Sequence, residues 1–140
     1  IFLRLVVAKS LKKTYVSTGV SGIQEIIKID GTLKNISFIH TQISNEITDV
    51  NLKAINTMKS KINNNIAFGL HCSNIEVLYL SLTYEPSDLF FYVKNSDSNN
   101  FPDGPHAIPI ADLQIILDKI YKFKKALGDG VKKPMDRKWK

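Results

Sequence analysis

Apolar residues fall along this chain in stretches whose spacing predicts both strands and helices. IFLRLVVAK (1–9) is rich in large and β-branched apolar side chains and predicts a strand. In IQEIIKIDGTLKNISFIHTQI (23–43), two isoleucine-rich runs flank Asp30-Gly31. Asp-Gly supplies the positive φ angles of a tight turn, so the spacing predicts a β-hairpin.

ISNEITDVNLKAINTMKSKINNN (43–65) predicts a helix instead. Thr48 or Asp49 can cap it, and Ile47, Asn51, Ala54, Met58 and Ile62 form one stripe. IEVLYLSLTYE (75–85) alternates, with Leu78, Leu80, Leu82 and Tyr84 on one face and Ile75, Val77 and Tyr79 on the other. That period of two predicts a strand. A turn at Glu85-Pro86-Ser87-Asp88 and the run LFFYVK (89–94) complete a second hairpin.

Residues 95–109 are a long polar loop with three prolines, a kind of segment that is usually functional. A helix follows from Pro109 to Leu127, with Ile110, Leu113, Leu117 and Ile120 as its core stripe, widened by Ile116 and Phe123. Asp112 and the lysines at 122, 124 and 125 complement its dipole, and Gly128 suits its end.

The order is thus β-ββ-α-ββ-α. Consecutive hairpins imply an α+β fold: an antiparallel sheet of four to five strands, two hairpins plus an N-terminal strand, with two helices packed on one face. Residues 1–128 form the expected domain and 129–140 a basic C-terminal tail. The absence of an initiator Met suggests a fragment of a longer chain.

Composition sets limits on class. At 140 residues and 44% hydrophobic, the chain buries a core without a disulfide or metal staple. Cys72 stands alone, which excludes an internal disulfide and fits a reducing, cytoplasmic setting. No apolar run approaches the roughly 18 residues that span a membrane. The charges of the opening segment follow its apolar part, unlike a secretory signal.

Charge changes the picture most. The net +6 is divided into +4 over residues 1–14, −5 over 15–118 and +7 over 119–140. Basic ends around an acidic body point to an acidic partner, either nucleic acid or an acidic protein surface. The candidate binding residues are Lys12 and Lys13, then Lys119, Lys122, Lys124 and Lys125, then Lys132, Lys133, Arg137, Lys138 and Lys140. Trp139 adds an aromatic that can stack on a base or anchor in a pocket.

Other chemistry is sparse. His40, His71 and His106 could share acid–base work if the fold brings them together. His71-Cys72 lacks the paired spacing of a zinc site, and the glycines match no phosphate-binding pattern. The expected function is therefore a non-enzymatic binding module that favours nucleic acid, with no catalytic residue, metal or cofactor assigned. Two alternatives remain open: a protein-interaction or assembly domain, including a homo-oligomer, and a small metal-independent ribonuclease using the histidines.

Overall fold

Two short segments, ISFIH and NIAFG, become strands whose burial is nearly continuous rather than alternating, as in strands covered on both faces. The computed structural model describes residues 12–95, 100 and 102–134. Its sheet consists of β1 (Thr14–Ser17), β2 (Ile36–His40), β3 (Asn65–Gly69) and β4 (Leu89–Phe90). The four strands lie in sequence order and every pairing is parallel. Val16 stands opposite Phe38, Phe38 opposite Ile66, and Phe68 opposite Leu89. The connections carry α1 (Ile23–Asp30), α2 (Ala54–Lys61) and α3 (Glu76–Ser81), as parallel crossovers require. A small parallel pair, β5 (Val93–Lys94) with β6 (Ile108–Pro109), precedes α4 (Leu113–Leu127).

The antiparallel α+β sheet expected from the sequence is therefore corrected to a parallel one, and two local signals explain the error. Ile23, Ile26, Ile27 and Asp30 share a helical face, and the Glu25 carboxylate accepts the Gly22 N–H at 2.8 Å. Gly31 has an ordinary helical φ of −70°, so Asp30-Gly31 closes a helix instead of turning a hairpin. In 75–85 the buried residues are Val77, Leu78, Ser81 and Leu82, a period near four, while Leu80 is 56% exposed. Asn74 Oδ1 accepts the Glu76 N–H and starts that helix. LFFYVK is divided between two sheets. The strand expected at 1–9 lies outside the described residues.

The final helix ends at Leu127 as its spacing predicts, but it starts at Leu113 rather than Pro109, which belongs to β6, and its packing differs. Ile116 is buried and Ile120 touches the core, whereas Leu117 and Phe123 are each 44% exposed. Gly128, at φ +68°, ends the helix in a conformation suited to glycine.

Phe38, Ile55, Phe68 and Leu78 are at most 1% exposed and form the centre of the core between sheet and helices. Beneath it, the Asp30 carboxylate accepts the backbone N–H and side-chain amide of both Asn63 and Asn64, at 2.8–3.2 Å. This ties the end of α1 to the entry of β3.

Gly69 is required by close approach. A Cβ there would stand 2.9 Å from Ile39 Cγ2 and 3.2 Å from Thr41 Cβ. Gly69→Ala is expected to lower stability by about 1–3 kcal/mol, as overpacking does, measurable as a reduced midpoint in urea.

Candidate functional site

Because all four strands run the same way, their carboxyl ends form one rim, marked by Ser17, His40, Gly69 and Phe90. Ligands of parallel α/β folds bind at that rim, where the backbone leaves the sheet and loops can vary. Here the rim holds a cleft of about 360 Å³ lined by Ser17, Thr41, Gly69, His71, Phe90 and Tyr92, within the range of small-molecule sites. A neighbouring depression of about 260 Å³ runs from Thr41 to His40, Gln42 and Lys53.

The chemistry concentrates where β3 and β4 end. His71 follows β3 by two residues, Tyr92 follows β4, and the loop before β6 brings back Asp103 and His106. The imidazoles of His71 and His106 stack with centroids 4.1 Å apart, and Tyr92 meets both edge-on at 6.1 and 5.1 Å. Asp103 Oδ1 lies 3.4 Å from His106 Nε2 and 4.0 Å from His71 Nε2. Asp103 O also accepts the backbone N–H of His106 and of Ala107, so aspartate and histidine sit on one tight turn.

His106 Nδ1 is 3.1 Å from Asn45 Oδ1. An amide oxygen only accepts, so Nδ1 carries the proton and Nε2 presents its lone pair toward Asp103 and His71. Burial, and then the neighbouring His71, hold His106 below the usual imidazole range, against the opposing pull of Asp103. The ring is therefore neutral near pH 7.

The histidines expected from the sequence separate into two groups. His71 and His106 converge; His40 does not join them. Its Nε2–H donates to the carbonyls of Val50 and Asn51 at 3.0 and 3.1 Å, and burial keeps it neutral. Cys72 is 1% exposed and belongs to the core. Asp103, Asn45 and Tyr92 were not assigned from the sequence; the available signal was the spacing of Asp103 and His106 within a long Pro-rich loop.

The basic candidates lie elsewhere. Lys119, Lys122, Lys124 and Lys125 are spread along α4, with Lys119 over the Tyr79 ring at 5.8 Å and Lys125 over Tyr121 at 4.3 Å. Lys132 and Lys133 follow, and Lys133 is bonded to Asp129 at 2.7 Å. At the other end, Lys12 and Lys13 precede β1. Lys13 pairs with Asp88 at 2.8 Å, holding that carboxyl below its usual range. Arg137, Lys138, Trp139 and Lys140 lie outside the described residues.

The family model described as the NeuB family matches residues 2–132. The chain belongs to the NeuB family. The N,N'-diacetyllegionaminic acid synthase of Campylobacter jejuni is 24% identical to it, over 91% of this chain and 41% of that one. The N-acetylneuraminic acid (sialic acid) synthetase of Leptospira borgpetersenii, solved in complex with citrate, superposes with a TM-score of 0.86 at 21% identity. That match covers 96% of this chain and 49% of that one. A putative spore coat polysaccharide biosynthesis protein E from Chromobacterium violaceum gives a TM-score of 0.79 at 16% identity, over 96% and 42% of the two chains. The chain thus spans less than half the length of these relatives. Its sheet corresponds to a parallel, four-stranded half-barrel of the kind related to TIM barrels.

Family membership overturns the expected nucleic-acid-binding module. The relatives are enzymes of carbohydrate biosynthesis. The physical reason is visible in the lysines, several of which are engaged with the protein's own carboxylates and tyrosine rings. Among the described residues, no helix is long and apolar enough to cross a membrane.

Proposed function

We propose that this chain forms part of a sugar-acid synthase, and that the rim of β1–β4 binds an N-acetylated acidic sugar or its precursor. The observation that carries the reading is the convergence of His71, Asp103, His106 and Tyr92 beside the 360 Å³ cleft, at the carboxyl ends of parallel strands. The cleft walls combine the apolar Phe90 and Phe91 with the hydroxyls of Ser17, Thr41 and Tyr92. That mixture suits a sugar, whose ring faces pack on aromatics while its hydroxyls find donors and acceptors. The names of the relatives supply the sugar class, since they are synthases of N-acetylneuraminic and diacetyllegionaminic acids.

Saturation-transfer NMR with N-acetylneuraminic acid, and glucose as the control, tests this reading. Saturable binding of the acidic sugar is expected, weakened about tenfold in His71→Ala, the effect of losing a hydrogen bond to a charged group. Equal responses to glucose and the acidic sugar, or no saturation into the millimolar range, would refute it.

A further inference from the structure

We propose that Tyr15 positions Phe90 as the floor of the rim cleft, and that this two-ring floor restricts the cleft to sugars whose apolar substituent is as short as an acetyl group. The ligand class rests on the sugar reading above; the floor is read from the strands themselves.

Successive residues of a strand face opposite ways, so in β1–β4 one set faces the helices and the other faces the concave side of the sheet. Val16, Phe38, Phe68 and Leu89 pack in the helix-side core. Tyr15, Ser37, Ala67 and Phe90 alternate with them and face the concave side, with Tyr15 beside Ser37 and Phe90 beside Gly69 in register. At these positions the middle strands carry small groups, Gly69 and the fully buried Ser37 and Ala67, whereas the outer strands carry large rings. The rings fill the space that the small residues leave. Their centroids stand 4.8 Å apart in an edge-to-face arrangement, although two strands separate β1 from β4.

Phe90 lines the cleft, and Tyr15 stands behind it. Tyr15 is held in turn by Lys13, whose Nζ lies 4.6 Å from the ring centroid and is itself fixed by Asp88 at 2.8 Å. Toward the amino ends of the strands, Lys13, Ser37, Asn63, Asn64 and Asn65 line a polar pocket of about 470 Å³. The ring pair therefore stands between a largely apolar cleft and a polar pocket. Ser37 Oγ, buried beside Tyr15, has no hydrogen-bond partner. Buried hydroxyls are rarely left bare, and opening the floor would expose this one.

The floor matters for which sugar fits. The acyl methyl is the apolar end of an N-acetylated acidic sugar and suits the Phe90 ring, while the hydroxyls of Ser17, Thr41 and Tyr92 suit its polar groups. A longer acyl chain would have to displace two packed rings, and close-packed side chains resist added methylenes. Without the Tyr15 ring, Phe90 loses its backing and can turn into the vacated space, which deepens the cleft. Tyr15 thus acts through Phe90, as a positioning residue.

The test uses the whole chain, with N-acetylneuraminic and N-butanoylneuraminic acids as paired probes in saturation-transfer titrations. Wild type is expected to favour the acetyl form by about tenfold or more, the discrimination that methylenes meet at a packed apolar wall. Tyr15→Ala is expected to abolish that preference, and Tyr15→Phe, which keeps the ring, to retain it. Equal binding of both forms by wild type, or an unchanged preference in Tyr15→Ala, would overturn the proposal. A sugar-free arm judges the floor separately. Ser37→Cys is expected to react with a small methanethiosulfonate about tenfold faster or more when combined with Tyr15→Ala, since thiol reactivity follows exposure. The buried Cys72 sets the background. Equal rates with and without the Tyr15 ring would show that there is no such floor. If neither sugar binds wild type, the sugar reading fails and the acyl-length rule with it, while the thiol rates still decide the floor. Melting temperatures check folding, and Tyr15→Leu replaces Tyr15→Ala if the latter does not fold.

Discussion

Phe68→Ala is expected to cost about 3–5 kcal/mol, the range for truncating a fully buried aromatic. Phe68 is 1% exposed near the end of β3, bonded through its backbone N–H to Asp88 O and paired in register with Leu89. Removing its ring opens a cavity between sheet and helices that close-packed neighbours fill only in part. Residues 69–71 carry the tight approach of Gly69 to Ile39 and then the first histidine of the site, so the same cavity also loosens His71. Urea unfolding of the purified variant, compared with Phe68→Leu, measures the effect. A loss below about 1.5 kcal/mol, the ceiling for volume-conserving changes, would show that Phe68 does not anchor the core.

Asp30→Ala is the second large effect, at about 2–4 kcal/mol. The carboxylate is 8% exposed and accepts four hydrogen bonds, two of them from the backbone N–H groups of Asn63 and Asn64. Alanine removes those bonds and strands both amides. The pH dependence follows from the same contacts. Burial by itself pushes the carboxyl up and is the largest single influence, but the four donors together outweigh it and hold Asp30 below its ordinary value. A carboxyl lowered in the folded state contributes stability that is fully present above its unfolded value of about 3.9 and is lost as pH falls below it. Wild type should therefore lose stability below about pH 4 more steeply than Asp30→Asn. Urea midpoints at pH 7, 4 and 3 check this, and parallel curves for the two proteins would contradict it.

Some of this architecture could be read from the chain and some could not. The last helix was legible because the apolar positions of Leu113–Leu127 keep one helical period and are followed by a glycine. The run ISFIH was legible as a strand, but not its partners: the choice between parallel and antiparallel neighbours depends on the crossovers. Those were the obscured parts. Ile23–Asp30 and Glu76–Ser81 are short helices, and over six to eight residues isoleucine-rich or Leu-x-Leu patterns fit either period. β-propensity then suggested strands that tertiary packing overrode. NIAFG, between a run of asparagines and His-Cys-Ser, is too short to show a period of its own.

At the site, His71 and His106 were both named from the sequence, but their meeting is a property of the sheet. β3 and β4 end side by side, and the loop after β5 returns Asp103 and His106 to that point. Nothing in the spacing of residues 71 and 106 encodes that approach. Charge was the misleading signal, because lysines at the ends of a sequence need not gather in space, and here several are matched within their own neighbourhood.

The sequential strand order has a consequence for how the protein is made. Ile36 pairs back to Thr14, Ile66 to Phe38 and Leu89 to Phe68, so each new strand finds its partner already synthesised. Domains form from the N-terminus as chains emerge at about 5–20 residues per second. On the ribosome, this sheet can grow one βα unit at a time, with loops of modest length to close at each step. The two halves of the His71–His106 pair are then assembled late, after β4 has docked, so a stalled or shortened nascent chain would carry a growing sheet without a finished site.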